Sequence, residues 1–376
     1  MKKVLFVTNY PSPYRVDFFN ELGRRNGIDL TVVFQEKAIE QDHRSIDWFH
    51  ENYDFFTAIF LEKRIHLPHK SYVCPEIIEL IKKKYDVVIF GGINYPTHML
   101  GMEYMRLHHM SYCIEGDGAF AGKGKGLKER VKKHFISKAN VFFSTSKAHD
   151  EYYKVYGANP SRIYRYPFTS ISQKDIINAQ SFISKGKKWF REKLGIMEEH
   201  IILSVGRFSY QNGYGKGFDT LMRVAEQLND TAYGFYIVGD EPTDEFKEWK
   251  RKSNLTNVHF IGFKQKDQLA EYYAAADLFV LLSKGEAWGL VINEAMTYGL
   301  PVIATDRCVA GVELVRDGEN GWLVPANNPD LVVQSIQKFI NSNIEEMTRI
   351  ALDTIREYTI EKMVDAHVEV LNNCYE

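Results

Sequence analysis

The chain has 376 residues, 45% hydrophobic and 26% charged, which fits a globular protein of about two domains and excludes disordered, collagenous and coiled-coil chains. Its 47 Lys and Arg against 49 Asp and Glu leave a net charge of −2, which argues against a generally basic nucleic-acid binder. The four cysteines (Cys74, Cys113, Cys308, Cys374) form no C-x-x-C pair and read as free thiols of a reducing compartment, with neither a disulfide framework nor a structural zinc site.

At the N-terminus, Met1-Lys2-Lys3 precedes the apolar run Val4-Leu5-Phe6-Val7, which Thr8-Asn9 end too early for a secretory core. No run approaches ~18 apolar residues, so no membrane span is expected. The expected location is the cytoplasm, at most peripheral on the inner face of a membrane. Short apolar runs then alternate with helical patterns. In the first half strands are predicted at residues 3–8, 30–35, 86–91, 110–115 and 140–146, with helices such as 14–25 and 74–84 between them. Runs such as Val87-Val88-Ile89-Phe90 suit strands buried on both faces of a parallel sheet. Residues 169–199 are polar and lysine-rich without a strand signal, and the domain boundary is expected near Ser170. The second half repeats the scheme, with strands at 201–205, 234–238, 258–262, 278–283, 302–305 and 321–324. Helices are expected at 216–228, 268–275, 288–298 and 329–340, and a last amphipathic helix at 360–371. The alternation indicates two α/β domains, and open sheets of this kind bind ligands beyond the carboxyl ends of their strands.

Two constellations fall at such ends. Gly206-Arg207 closes one strand, and after a glycine-rich stretch Lys216-Gly217 opens a helix. Two cations beside a helix N-terminus can hold phosphate, although a surface loop with two solvated charges has the same pattern. Further on, Glu286-Ala287-Trp288-Gly289-Leu290-Val291 leads into a helix carrying Glu294. Glu286 lies just before the helix and Glu294 inside it, and eight residues at the helical rise place the two glutamates roughly 12 Å apart, about the span from a sugar to a ribose across a diphosphate. Backbone N–H groups near Gly289 to Val291 would then face the phosphates. The bland alternative is a helix-surface Glu294 and a Glu286 favoured by the helix dipole.

Gly206-Arg207 with Lys216-Gly217, Asp277-Leu278-Phe279-Val280, Glu286-x7-Glu294-Ala295-Met296, Gly299-Leu300-Pro301-Val302-Ile303-Ala304 and Gly318-Glu319-Asn320-Gly321-Trp322-Leu323-Val324 follow one another along the chain. In combination and order they resemble the retaining glycosyltransferases of family 4, over essentially the whole C-terminal half. Asn9-Tyr10-Pro11-Ser12-Pro13-Tyr14-Arg15, leading into Phe18-Phe19-Asn20-Glu21-Leu22, is similar to the first loop and helix of bacterial polysaccharide-assembly members. The resemblance implies a GT-B fold, two Rossmann-like parallel-sheet domains facing across a cleft. Residues 1–169 would bind the acceptor, 170–357 the nucleotide sugar, and 358–376 would cross back as a helix to the first domain. It further implies that Arg207 and Lys216 clamp the diphosphate, that Glu286 takes donor-sugar hydroxyls and Glu294 the ribose, and that Phe263 and Lys264 lie beside the base. Arg207 and Lys216 stand nine positions apart, a longer interval than the family commonly has.

On the acceptor side, Tyr10, Pro11, Ser12, Tyr14, Arg15 and Asn94 follow strands and would border the acceptor. Glu115-Gly116-Asp117-Gly118 also follows a strand. Its two carboxylates with a diphosphate would make a magnesium site in another fold. The phosphate signals all lie after residue 200, however, so Asp117 or Glu115 is expected to face the sugar or take the acceptor hydroxyl's proton. No metal or cofactor is expected, because protein cations and helix N–H groups would stabilise the leaving diphosphate. The resemblance implies retention of anomeric configuration. Lys123, Lys125, Lys128, Arg130, Lys132 and Lys133 crowd a predicted helix at 125–138 with Leu127, Val131 and Phe135 as its apolar stripe. That face could attract anionic membrane or a lipid-linked phosphate, or simply be the solvated side of a sheet-covering helix. The expected activity is transfer of a sugar from a nucleotide-diphosphate sugar to a carbohydrate or lipid-linked glycan, in cell-surface polysaccharide synthesis. A nucleotide-sugar-binding pseudoenzyme that supports a partner transferase is the alternative. A dinucleotide oxidoreductase lacks its G-x-G-x-x-G after the first strand, where Thr8-Asn9-Tyr10-Pro11-Ser12-Pro13 stands.

Overall fold

A computed structural model describes residues 1–37, 52–68, 71–122, 124 and 126–373. The chain divides into two compact units, one of Met1–Ser170 with Thr359–Glu376 and the other of Ile171–Tyr358.

The first unit runs β1 (Lys2–Thr8), α1 (Pro13–Gly23), β2 (Ile28–Phe34), β3 (Thr57–Phe60), β4 (Ile65–Leu67), β5 (Ser71–Val73), α2 (Glu76–Ile81), β6 (Val87–Gly91), α3 (Pro96–Leu107), β7 (Cys113–Glu115), α4 (Leu127–Ile136), β8 (Val141–Ser144), α5 (Lys147–Val155) and β9 (Ile163–Arg165). Its main sheet has seven strands in the order β3-β2-β1-β6-β7-β8-β9, every neighbouring pair parallel. The central strands explain themselves: Val4 to Val7 and Val87 to Phe90 are buried on both faces, as a sheet covered on both sides requires. The connections reverse direction between β1 and β6, so the loops after these two strands splay apart and leave a crevice at their carboxyl ends.

The second unit runs α6 (Gln173–Ile183), α7 (Lys187–Leu194), β10 (His200–Val205), α8 (Phe218–Gln227), β11 (Tyr233–Val238), α9 (Asp244–Lys252), β12 (Val258–Gly262), α10 (Lys266–Ala275), β13 (Leu278–Leu281), α11 (Leu290–Thr297), β14 (Val302–Thr305), α12 (Val309–Leu314), β15 (Gly321–Val324), α13 (Pro329–Ile340) and α14 (Ile344–Ile355). Its six parallel strands are ordered β12-β11-β10-β13-β14-β15, with the reversal between β10 and β13. The last helix, α15 (Ile360–Asn373), belongs to the first unit and packs on α1. Its Asp365 pairs with Arg25 at 3.0 Å, and the Lys2 ammonium donates to the Leu371 carbonyl at 2.6 Å.

Several elements differ from expectation. Residues 169–199, which carried no strand signal, form two helices. Ser172 and Asp175 make a reciprocal capping box at the start of α6, and Phe182 stacks on Phe190 to tie α6 to α7. Strands β3 and β9 and the hairpin β4–β5 are additions to the expected set; β3 carries the short apolar run Ala58-Ile59-Phe60, whereas β9 and the hairpin have none, as edge strands and hairpins bury little. The expected apolar stripe of α4 buries only Phe135 fully; Val131 is half-buried and Leu127 is 77% exposed. Lys123, Lys125 and Cys374 lie outside the described residues.

Candidate functional site

In the second unit the two candidate constellations meet at the β10–β13 switch point. The segment after β10 carries Gly206 and Arg207, passes through a left-handed turn at Gln211 and Asn212, and returns with Lys216 to the start of α8. The segment after β13 carries Ser283 and Glu286. The Lys216 ammonium donates to the Glu286 carboxylate at 2.5 Å, and Ser283 Oγ donates to the same oxygen at 3.2 Å. Gly217 makes this closeness possible. Its φ is +73°, and a Cβ there would sit 1.9 Å from the Leu282 carbonyl oxygen, so only glycine lets α8 begin against the end of β13. Arg207 is half-buried beside Gly206. Its loop is fixed from the next strand: the Asp240 carboxylate after β11 accepts the N–H of Phe208 and, at 3.0 Å, that of Ser209.

The helix expected from residue 288 begins only at Leu290. Gly289 caps it with φ +105°, and the Trp288 carbonyl is turned away to accept from the Ala310 N–H at 2.9 Å and the Cys308 thiol at 3.0 Å. Glu286 lies before the helix, as expected, but with non-helical residues between it and Leu290 the 12 Å spacing drawn from a continuous helical rise has no basis here. Glu286 instead forms a bridge with Cys308, accepting the Val309 N–H and donating its own N–H to the Arg307 carbonyl. That bridge turns its side chain toward Lys216. Gly289 supplies no side-chain cap to α11, so the first N–H groups of the helix present the positive end of its dipole. Of the residues flanking it, Ala287 is exposed and Leu290 and Val291 are half-buried. Trp288 is buried, and its indole N–H donates to Asn293 Oδ1 at 2.8 Å. Glu294 lies within α11 and accepts from the buried Tyr273 hydroxyl at 2.9 Å. Phe263, 54% exposed, and half-buried Lys264 follow β12, two strands from β10 at the same end of the sheet.

In the first unit the loops after β1, β6 and β7 converge. Asn9 Nδ2 donates to the Tyr95 hydroxyl at 2.7 Å, which ties the β1 loop to the β6 loop. Pro11 and Ser12 are buried, Tyr10 and Tyr14 half-buried, and Asn94 exposed. Arg15, one turn into α1, is buried and bridges Glu115 at the end of β7 to Asp117 two residues later. Glu115 also meets the Tyr166 hydroxyl at 3.1 Å and His367 Nε2 at 3.0 Å. The Tyr14 hydroxyl reaches Asp117 at 3.2 Å. Burial would push the Glu115 carboxyl up, but the charges of Arg15 and His367 outweigh it and hold it at about 2. Glu115 is fully buried, so it supports Arg15 and cannot itself touch an acceptor; the Asp117 side chain is 40% exposed and can.

The magnesium reading of this acidic pair does not fit. Arg15 neutralises both carboxylates, sharing its Glu115 oxygen with the Tyr166 hydroxyl, and His367 and Tyr14 take the other oxygen of Glu115 and of Asp117. No other group of three or more His, Cys, Asp or Glu among the described residues is arranged to hold a metal ion. Asp240, Tyr273, Tyr166 and His367 escaped the sequence reading. Asp240 could have been found, because it is an acidic residue just past a strand's carboxyl end. The other three had no local signal, since what matters about them is a partner far away in the chain.

The family model for "Glycosyl transferases group 1" matches residues 186–355. An uncharacterized glycosyltransferase of Methanocaldococcus jannaschii is 30% identical over 269 residues, covering 69% of this chain and 67% of that one. The lipopolysaccharide glucosyltransferase WaaG of Escherichia coli is 32% identical over 128 residues, 34% of this chain and 33% of that one. The chain spans 45, 50 and 42% of the length of three further curated relatives that it matches. The crystal structure of Anabaena HepE in complex with UDP superposes with a TM-score of 0.74 over 99% of this chain and all of that one, at 18% identity. The match along residues 186–355 takes in the Lys216–Glu286 pair and the helix that follows it; the fold is GT-B, and the chain belongs to the group 1 glycosyl transferases.

Proposed function

We propose that the chain is a retaining glycosyltransferase that uses a nucleotide-diphosphate sugar without a metal ion and glycosylates a carbohydrate or lipid-linked glycan of a cell-surface polysaccharide. The observation that carries this reading is the Lys216–Glu286 pair at the β10–β13 switch point, next to Arg207 and the N-terminal end of α11. As the glycosidic bond to the leaving diphosphate breaks, negative charge grows on a phosphate oxygen. Lys216, Arg207 and the α11 N–H groups neutralise it, and each such donor is worth about 3 kcal/mol at the transition state. Lys216 releases Glu286 when the diphosphate arrives, and the freed carboxylate accepts donor-sugar hydroxyls. Glu294 holds the ribose, with Phe263 and Lys264 beside the base. In the first unit Asp117 meets the acceptor, with Tyr10 and Asn94 at its border. Attack from the leaving-group face retains the anomeric configuration. HepE's complex with UDP supports a uridine donor as the first to try.

Thermal-shift measurements over UDP-, GDP- and ADP-sugars test the donor, since a ligand at 100 times its dissociation constant adds about 2.7 kcal/mol of stability. Transfer to a lipid-linked glycan separates an enzyme from a pseudoenzyme that binds the donor without turnover. For the acceptor side, α4 presents Lys128, Arg130 and Lys133 to solvent beside exposed Leu127. That face supports peripheral contact with anionic lipid, which co-sedimentation with phosphatidylglycerol vesicles, falling with salt, would detect. No helix among the described residues is long and apolar enough to cross a membrane.

A further inference from the structure

We propose that His367 is a positioning residue for the transfer reaction: from the C-terminal helix, acting through Glu115 and Arg15, it fixes the carboxylate of Asp117. The proposal rests on the reading that Asp117 meets the acceptor. The ring of His367 is fully buried and lies flat on Phe143, with centroids 4.5 Å apart and planes 7° apart. Tyr166 and Phe18 close its other sides at 4.6 and 4.8 Å. It has no room to turn over. Its Nδ1 lies 2.7 Å from the Met363 carbonyl, one turn back on α15, and a carbonyl only accepts. Its Nε2 lies 3.0 Å from Glu115 Oε2, on a carboxylate that Arg15 keeps ionised. Both ring nitrogens therefore donate, and the ring carries two hydrogens and a positive charge.

The charges then alternate along one line: His367, Glu115, Arg15, Asp117. Glu115 spends its second oxygen on Arg15 and the Tyr166 hydroxyl, so no freedom is left in that carboxylate. Arg15 uses one nitrogen for Glu115 and another for Asp117, and the planar guanidinium passes the orientation on. Side-chain exposure is 0% for His367, 0% for Glu115 and 6% for Arg15, then rises to 40% at Asp117, so the chain of contacts is rigid inside and ends on the one member that can meet a solute. Glu115 and His367 are 252 positions apart. The last helix thus supplies the far anchor of a carboxylate in the acceptor-side loop.

The experiment uses the full chain labelled with nitrogen-15 in histidine and arginine. In the wild-type protein both His367 ring nitrogens should show the signal of protonated imidazolium, and the Arg15 Nη hydrogens should exchange slowly. His367→Phe keeps the ring packing but removes both donors, so the slow Arg15 signals should disappear. His367→Gln, which can still donate to Glu115, should keep them. In transfer assays His367→Phe should raise the acceptor KM about tenfold, the scale of a lost hydrogen bond to a charged group, with the donor KM unchanged and His367→Gln restoring most of it. A His367 ring with one hydrogen, or slow Arg15 signals that survive in His367→Phe, overturns the proposal. So does an unchanged acceptor KM in a wild-type-active system. A wild-type protein that shows the expected signals but transfers nothing would instead count against the functional reading.

Discussion

The Lys216 ammonium and the Glu286 carboxylate, 70 positions apart in sequence, lie 2.5 Å from each other where the second sheet reverses direction. Each neutralises the other until a ligand arrives with charge of its own. On the proposed function, a diphosphate offers Lys216 two negative groups in place of one and leaves the glutamate free to accept hydroxyls. Lys216→Met should therefore lower kcat by about 100- to 1,000-fold, the loss typical of one preorganised donor to a growing oxyanion. The variant should stay folded, because both side chains are partly exposed and water can take over Glu286. Single-turnover transfer alongside circular dichroism checks both statements.

Glu294 accepts from a buried hydroxyl. Tyr273 donates to it at 2.9 Å and is itself wedged by stacking on Tyr298. Burial, with Glu294 beside it, keeps the Tyr273 phenol protonated well above its ordinary range, so it stays a donor at any pH of interest. Tyr273→Phe removes the bond and nothing else. The expected result is a donor KM raised about fivefold with kcat unchanged, matching ~1 kcal/mol for one hydrogen bond. Initial rates over a range of donor concentrations separate the two parameters.

The approach of α8 to β13 has a simple structural requirement. At Gly217 a side chain would be strained by φ +73° and would drive its Cβ into the Leu282 carbonyl at 1.9 Å. Gly217→Ala should destabilise the protein by about 3 kcal/mol or more and pull Lys216 away from Glu286. Urea denaturation measures the first effect. If the midpoint stays put, the close approach does not exist in solution.

Acid should destabilise the protein continuously, through two overlapping contributions. Burial drops the His149 ring to about 3, against the opposing charges of Asp150 and Glu115, and drops His98 to about 4, both from an ordinary 6.5. Below pH 6.5 the unfolded chain takes up protons that the folded one refuses, so stability falls as pH falls from there to about 4 for His98 and to about 3 for His149. Glu115 adds a second loss between 4.5 and 2, because the folded protein holds it ionised at about 2. That carboxyl alone contributes on the order of 3 kcal/mol near neutral pH. Urea midpoints measured from pH 7 to pH 3 should decline throughout. His149→Gln should make the decline shallower from pH 6.5 down to 3 and leave the shares of His98 and Glu115 in place.

Much of this was legible in the sequence, and for a reason that particular residues make plain. Val4 to Val7 and Val87 to Phe90 read as doubly covered strands because nearly every side chain in them is apolar, and both lie at the centre of the first sheet. Arg207, Lys216 and Glu286, the proposed donor-site residues, are legible because they stand just past strand ends of a parallel sheet, and strand ends are visible. What stayed hidden depends on pairings across long stretches of chain. Glu115 looked like a cleft residue because nothing beside it in sequence announces Arg15 or His367. The helix at Trp288 was started two residues early because the cross-strand bridge from Glu286 to Cys308 keeps that segment extended. Residues 169–199 carry no strand signal, and the helices they form are announced only by Ser172 and Asp175, which spell a cap.

The most direct test is the affinity of the nucleoside diphosphate that binds best among UDP, GDP and ADP, measured by calorimetry in EDTA for the wild-type protein and for Arg207→Ala. Protein cations in place of a metal predict undiminished wild-type binding in EDTA and a loss of about 100-fold in the variant, roughly 2.7 kcal/mol. Equal affinity in the two proteins, or wild-type binding that appears only when magnesium is restored, would contradict it.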